Sequence, residues 1–218
     1  MDKYEVMRWI SKFCESIAAI ACLLILPRWR KTYWKWLSVY VLFVAVSEWI
    51  GYYLRLHPLS FLLNPDYYSF IVHPGIFFFI FFIIKKNDSG RNNRLFQGVA
   101  FIYILSCIVD YLFLRKQSFW FMSFSYMVAI VLLITLLLRF YYEYFFSDKI
   151  LSYKNNISFW MCTSWFIYYC GTFPFFALRN TLAKNYKSVF DVYWFIQMIT
   201  SCLMYVSIIF IYKWAKQK

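Results

Sequence analysis

Long apolar stretches alternate with short charged connections along the chain. Seven stretches are long enough to cross a bilayer, because a spanning helix needs roughly 20 predominantly apolar residues. They cover residues 7–26, 37–54, 67–84, 95–113, 119–140, 158–178 and 189–212. The pattern predicts an all-α fold, a polytopic transmembrane helix bundle of about seven spans. Because no connection is as long as a separate soluble domain, we expect residues 1–218 to form a single transmembrane domain.

The first apolar stretch differs from the others because it carries Arg8, Lys12 and Glu15. A six-span alternative, in which this helix lies in the membrane interface, therefore stays open. The stretch also shares features with a signal peptide, with basic residues near its start and small residues further on. Glu15 interrupts the apolar region that a secretory signal requires, so we expect the helix to be retained.

The distribution of lysine and arginine predicts the orientation of the bundle. One side carries fourteen of these residues, in the first, third and fifth connections and after the last span, and the other side carries nine. Basic connections tend to stay in the cytoplasm, so we expect the amino terminus outside and the carboxyl terminus inside. Three of the outer basic residues, Arg179, Lys184 and Lys187, lie in the sixth connection and reduce this contrast.

The composition changes the meaning of the charge. The sequence is 63% hydrophobic and 26% aromatic, with a net charge of +13. In a soluble protein such a charge would favour nucleic acid, but here it is spread over short connections that face lipid headgroups. We therefore expect membrane lipids as partners, no nucleic acid, and a location in the cell (cytoplasmic) membrane.

Acidic side chains interrupt four of the apolar stretches. A charged group is costly in hydrocarbon, so it usually faces the protein interior, has a partner and marks a functional region. In the predicted orientation all four acids lie in the outer half of the membrane, with one histidine at similar depth and one glutamine about two turns below an acid. We predict one outward-facing acidic cavity that binds a cation, a proton or a small polar ligand. Its predicted lining is Glu15, Glu48, His73, Asp110, Asp191 and Gln197.

A structural interpretation of the same residues stays open. The acids would then hydrogen-bond between helices, or Asp110 and Asp191 would reach the outer interface near Arg115 and Lys187. Pro74 and Pro174, which lie within apolar stretches, also allow a functional and a structural interpretation. Proline removes a helix hydrogen bond and can kink the helix. Such breaks line ligand cavities in some membrane proteins, and they also occur in ordinary spanning helices.

Several catalytic classes are excluded by missing motifs. The sequence has no Walker A motif, no GxGxxG, no GxSxG and no HExxH. With only His57 and His73, and with no CxxC among six cysteines, it has no cluster at zinc spacing. We therefore expect no metal, no cofactor, no disulfide framework and no enzymatic activity, with the cysteines serving as packing residues.

The closing part of the chain carries a resemblance. Phe159-Trp160, Tyr168-Tyr169, the segment from Gly171 to Phe176, and Asp191-Val192-Tyr193-Trp194 follow one another over about fifty residues. This run resembles the last two helices of small bacterial seven-helix membrane proteins without an assigned function. The resemblance implies a bacterial cytoplasmic membrane and a similar helix count, and it implies no activity.

The leading functional prediction is a membrane-embedded sensor or signalling component. Its outer cavity would detect a ligand, and its basic inner connections would contact a separate protein at the cytoplasmic face. Two alternatives stay open. One is a small cation- or proton-coupled transporter or channel that uses Glu15, Glu48 and Asp110, and the other is a structural subunit of a membrane complex.

Overall fold

The computed structural model describes residues 3–57, 63–87, 93–114 and 121–214. Of these residues 93% are helical and none lies in a strand, which confirms the predicted all-α class. Seven long helices account for nearly all of the described chain.

The helices are labelled α1 to α7 in chain order. Five are regular α-helices: α1 (Lys3–Trp29), α2 (Lys35–Leu56), α5 (Ser123–Phe145), α6 (Ile157–Asn185) and α7 (Lys187–Trp214). Helix α3 runs through three consecutive parts, Asn64–Tyr67, a π-helical turn over Tyr68–Val72, and His73–Asn87. Helix α4 covers Asn93–Val109 and ends in a second π-helical stretch, Asp110–Leu114. A 3₁₀ segment, Asp148–Asn155, joins α5 to α6.

Six of the helices form a closed ring. Helix α1 packs against α2 and α7, α2 against α3, α3 against α5, α5 against α6, and α6 against α7. Helix α4 lies outside this ring, with α5 as its main neighbour. The six helices therefore enclose an interior, and α4 lies against the outer side of the ring.

Aliphatic and aromatic side chains fill one end of the ring. The side chains come from the carboxyl-terminal halves of α3, α5 and α7 and from the amino-terminal halves of α2 and α6. Those at the centre of this packing are at most 1% exposed, and they are Leu37, Ile80, Ile83, Leu133, Leu137, Met161, Trp165 and Ile208. We call this region the closed end. The close packing there is typical of a protein interior.

Six of the described helices are long and apolar enough to cross a membrane, namely α1, α2, α3, α4, α5 and α7. Large apolar side chains cover their outer surfaces; Leu24 is 77% exposed and Phe113 is 76% exposed. These features are compatible with a multi-pass integral membrane protein. Helix α1 is one of these six apolar helices, and it also forms part of the ring.

Helix α6 is long enough to cross a membrane, but it contains no stretch as apolar as the spanning stretches of the other six helices. Its sequence includes hydroxyl-bearing side chains that turn inward, such as Tyr169 and Thr172, which are both at most 2% exposed. Its outer face keeps apolar residues, including Ile167 and Leu178. The polarity of α6 therefore belongs to the interior of the ring.

The connection between α6 and α7 is a single residue, Tyr186. Its N–H donates to the Leu182 carbonyl at 2.9 Å, and its own carbonyl accepts from the Phe190 N–H at 2.9 Å. The predicted sixth span ends at residue 178, but α6 continues for seven more residues to Asn185. A hydropathy pattern ends where charges begin, while the backbone hydrogen bonds of the helix continue beyond that point. Arg179 is thus helical and does not lie in a connection.

Candidate functional site

A cavity of about 730 Å³ lies inside the ring, at the end opposite the closed end. It is lined by all six ring helices, and none of the described residues of α4 contributes to it. Helices α1, α3, α5 and α7 contribute residues mostly from their amino-terminal halves, whereas α2 and α6 contribute residues mostly from their carboxyl-terminal halves. Within the ring, α2 and α6 therefore run opposite to the other four helices. In the predicted orientation this is the outer end, and exposed residues such as Arg55 and Lys184 stand at its mouth.

Two carboxylates lie on adjacent helices in the cavity wall. Glu15 of α1 is 6% exposed; its Oε1 accepts from the Ser11 hydroxyl at 3.1 Å, and its Oε2 is buried without a hydrogen-bond partner among the described residues. Glu48 of α2 accepts at Oε2 from the Tyr68 hydroxyl of α3 at 2.8 Å. The two acids thus have unequal hydrogen bonding, and one buried carboxylate oxygen of Glu15 lacks the partner that such groups usually have.

Lys12 stands close to both acids, one helical turn before Glu15. It is 7% exposed, and its Nζ lies 3.5 Å from the ring centre of Tyr52. The rings of Trp49 and Trp9 follow at 5.7 and 5.8 Å. Rings at these distances stabilise an ammonium group through cation–π attraction. The aromatic surroundings and the two carboxylates explain how a lysine is accommodated inside an apolar bundle.

The π-helical turn of α3 decides what the third helix presents to the cavity. In a regular α-helix Tyr68 and His73, five residues apart, would point about 140° away from each other. The wider turn, in which the His73 N–H donates to the Tyr68 carbonyl, brings both onto the same side. Their ring centres are 5.9 Å apart, and both line the cavity. Pro74 follows directly and supplies no backbone N–H of its own.

Gly51 of α2 makes room for this arrangement. A Cβ at this position would lie 2.5 Å from the Tyr68 hydroxyl oxygen, so only glycine allows the ring to lie against α2. The Gly51 carbonyl also accepts from the Asn64 side chain at 2.6 Å, which holds the start of α3 on α2. The bond between Tyr68 and Glu48 therefore depends on the absence of a side chain at Gly51.

An aromatic wall, formed by Phe121, Tyr126 and Phe176, surrounds His73. The His73 ring centre lies 4.5 Å from that of Tyr126 and 5.1 Å from that of Phe121, and Tyr126 and Phe176 are 4.4 Å apart. Both ring nitrogens of His73 are buried and have no hydrogen-bond partner among the described residues. The imidazole therefore lines the cavity with its two polar atoms enclosed and unpaired.

Gln197 of α7 lines the cavity beside Tyr168 of α6. The structure thus brings together four of the six predicted site residues, Glu15, Glu48, His73 and Gln197. They come from α1, α2, α3 and α7.

Asp110 and Asp191 do not line this cavity, which corrects the prediction of one cavity shared by four acids. Asp110 lies on α4, outside the ring, where its Oδ2 accepts from the Ser125 N–H at 2.7 Å. That N–H lies in the first turn of α5, which has no hydrogen-bond acceptor within its own helix, so Asp110 acts as a cap. Asp191 accepts from the Tyr4 hydroxyl at 2.5 Å and ties α7 to α1. Both acids hydrogen-bond between helices, as the structural interpretation expected.

The cavity is also more basic than predicted. Its charged lining consists of two acids, Glu15 and Glu48, and five basic residues, which are Arg8, Lys12, Arg55, Arg179 and Lys184. At the mouth, Arg55 lies 3.8 Å from Glu5. The description of this cavity as acidic is therefore wrong. The acids stood out in the sequence because charges are rare within apolar stretches, whereas most of the basic residues lie at helix ends that a hydropathy pattern assigns to connections.

Neither the described residues nor the comparisons supply a simple identification. No group of three or more His, Cys, Asp or Glu side chains in the described ranges is arranged to hold a metal ion. No protein-family model, curated protein or solved structure matches the chain. The resemblance of the last two helices to small bacterial membrane proteins thus stays a prediction, and the function must be inferred from the chemistry of the cavity.

Proposed function

We propose that this protein is a multi-pass membrane receptor that binds a small organic ligand in the outer cavity without changing it chemically. The observation that supports this best is the combination of the cavity with polar atoms that lack partners in its wall. Glu15 Oε2 and both nitrogens of His73 are buried and unpaired. A buried polar atom without a partner costs about 1–3 kcal/mol, so such atoms are retained where a ligand or water completes them. A volume of about 730 Å³ accommodates a small organic molecule.

The closed end favours binding over conduction. Below the cavity the ring is filled by residues such as Leu133, Leu137 and Trp165, each completely buried. An ion path would require polar groups or water along this region. A receptor requires only that one end of the bundle be accessible to the ligand.

A protein partner at the cytoplasmic face remains part of the proposal. Exposed Arg30 and Lys31, in the connection between α1 and α2, and exposed Lys35, the first residue of α2, lie at the closed end. A cluster of this kind supports contact with an acidic surface on a partner or with anionic headgroups.

A transporter is the second candidate, and the irregular helices support it. The Tyr68–Val72 turn of α3 and Pro174 of α6 lie at the level of the cavity, where an interrupted helix can change shape during alternating access. A transporter would have to open the closed end, whereas a receptor would not.

Binding is tested with the purified protein in lipid nanodiscs. The thermal midpoint is followed by tryptophan fluorescence during a screen of small carboxylates, phosphates, amines and alcohols. We expect at least one class to raise the midpoint, and His73→Phe, which removes the two unpaired ring nitrogens, to weaken its binding at least about tenfold, or 1.4 kcal/mol. His57→Phe is the matched control, because His57 follows the end of α2 at an exposed position and does not line the cavity.

Two outcomes would contradict the proposal. One is the absence of any stabilising compound, and the other is an equal effect of both His→Phe variants. Uptake of the bound compound into liposomes would replace the receptor by the transporter.

A further inference from the structure

Arg179 of α6 brings an unmatched positive charge into the cavity. Its guanidinium carbon lies 4.5 Å from the ring centre of Phe121, and it makes no hydrogen bond or ion pair with any residue that the structure describes. The neighbouring Asn180 donates to the Phe121 carbonyl at 2.8 Å, which fixes the ring beside Arg179. A guanidinium held by a ring in this way keeps N–H groups for planar, bidentate binding of a carboxylate or phosphate.

The acids of the cavity are engaged elsewhere. Glu48 is bonded to Tyr68, and Glu15 shares the neighbourhood of Lys12 and Ser11. Neither acid forms an ion pair with Arg179. The protein therefore leaves this half-buried charge without a compensating acid among the described residues.

A series of aromatic rings lies between Arg179 and the region that holds Glu48 and Lys12. From Tyr68 to His73 the ring centres are 5.9 Å apart, and from His73 to Phe121 they are 5.1 Å apart. Tyr126 and Phe176 complete the aromatic wall beside Phe121. A ligand that pairs with Arg179 thus has apolar ring surface next to its charged group.

We propose that the ligand is an amphipathic organic anion, with a carboxylate or phosphate paired to Arg179 and an apolar body against the aromatic wall. This inference rests on the proposed binding function and narrows it to one charge class. It replaces the cationic ligand that the acids alone had indicated. The anion has two sources of identical chemistry, a water-soluble organic acid or phosphate monoester, and the headgroup of an anionic lipid.

The test uses the full chain in nanodiscs of pure phosphatidylcholine and four probes of similar apolar size. Phenyl phosphate and phenylacetate are the anions, benzyl alcohol is the neutral probe, and benzylamine is the cation. We expect the anions to raise the thermal midpoint and the other two to have little effect. In Arg179→Gln the apparent affinity for the anions should fall at least tenfold, and Arg179→Lys should retain part of it.

The lipid source is tested separately. Nanodiscs with one fifth phosphatidic acid should raise the midpoint of the wild type above its value in pure phosphatidylcholine if a headgroup occupies the site. Arg179→Gln should then lose this increment. A response to phenyl phosphate without a response to phosphatidic acid assigns the site to soluble anions, and the reverse assigns it to the lipid.

Arg30→Gln is the matched control, since it removes one positive charge from an exposed position at the closed end. An equal loss in both variants would show that net charge alone attracts the anions and would overturn the inference. If Arg179→Gln does not fold, charge selectivity among the four probes on the wild type decides instead. Preference for the amine or alcohol would overturn the anionic class but leave the receptor standing, whereas no response to any probe or lipid would overturn the anion site.

Discussion

The two ends of this bundle are built from the same six helices but solve different problems. At the closed end, Leu37, Ile80 and Leu133 are completely buried and fill the space between helices. At the cavity end the same helices carry glutamates, lysines, arginines and tyrosines around about 730 Å³ of space. Aliphatic chains gain by collapsing onto each other, whereas charged and hydroxyl groups with few partners resist collapse because contact with apolar atoms leaves them unsatisfied. Stability and site are thus separated along the helix axis.

Truncating a side chain in the packed core should cause the largest loss of stability. Leu137→Ala at the closed end removes a fully buried side chain and should cost about 2–5 kcal/mol, since the surrounding helices cannot close the gap. Val44→Ala, in the cavity wall, should cost about 1 kcal/mol because it enlarges a space that already exists. Unfolding in detergent mixtures measures both. Equal losses would contradict the division of the bundle into two ends.

Gly51→Ala should disturb the cavity end without touching the packed core. The added methyl group would meet the Tyr68 hydroxyl and displace the ring from Glu48, at a cost of about 1–3 kcal/mol. Gly98→Ala in α4 is the control, since nothing lies within 4 Å of its Cβ. There a small gain in helix stability is expected. A neutral Gly51→Ala would show that Tyr68 has another position available.

Tyr68→Phe tests the contact between Tyr68 and Glu48 by removing a single oxygen atom. The bond to Glu48 Oε2 is lost while the ring remains, so we expect a stability loss of about 1–3 kcal/mol from an unpaired acceptor. Tyr53→Phe on α2 is a suitable comparison because Tyr53 is 58% exposed. Its effect should be close to zero. Thermal midpoints in nanodiscs distinguish the two.

Asp110→Asn should have the smallest effect and should leave the cavity unchanged. The asparagine oxygen can still accept from the Ser125 N–H, so we expect a loss of about 0.5–1 kcal/mol. Ligand-induced shifts of the midpoint should match those of the wild type. A loss of ligand binding in this variant would return Asp110 to the functional site.

The sequence predicted the helices well because long apolar stretches have few other solutions. It also predicted Glu15, Glu48 and His73 at a similar depth, and Gln197 about two turns below Asp191, from counting residues along helices that reverse direction. It could not tell that α4 leaves the ring, because the face to which a helix packs depends on neighbours that hydropathy does not identify. Asp110 therefore shared the predicted depth but not the site.

Arg179 and Tyr68 also line the cavity but were not predicted to do so, each for its own physical reason. Arg179 lies beyond the apolar part of α6, and helices extend past the point where hydropathy stops. Tyr68 and His73 share a face only because of a π-helical turn, which a helical period of 3.6 residues does not anticipate. The nearby Pro74 was the available signal, and it indicated an irregular helix without specifying its form.

The single-residue link at Tyr186 has a mechanical consequence. Helices α6 and α7 are joined by one non-helical residue, since the Tyr186 N–H makes the last hydrogen bond of α6 and the Tyr186 carbonyl accepts the first of α7. No longer loop lies between the two helices, so we expect a shift of Arg179 toward a bound anion to move α7 as well. Helix α7 extends to Trp214, at the far side of the bundle. An event at the mouth of the cavity would thus reach the opposite membrane surface through two helices and one turn.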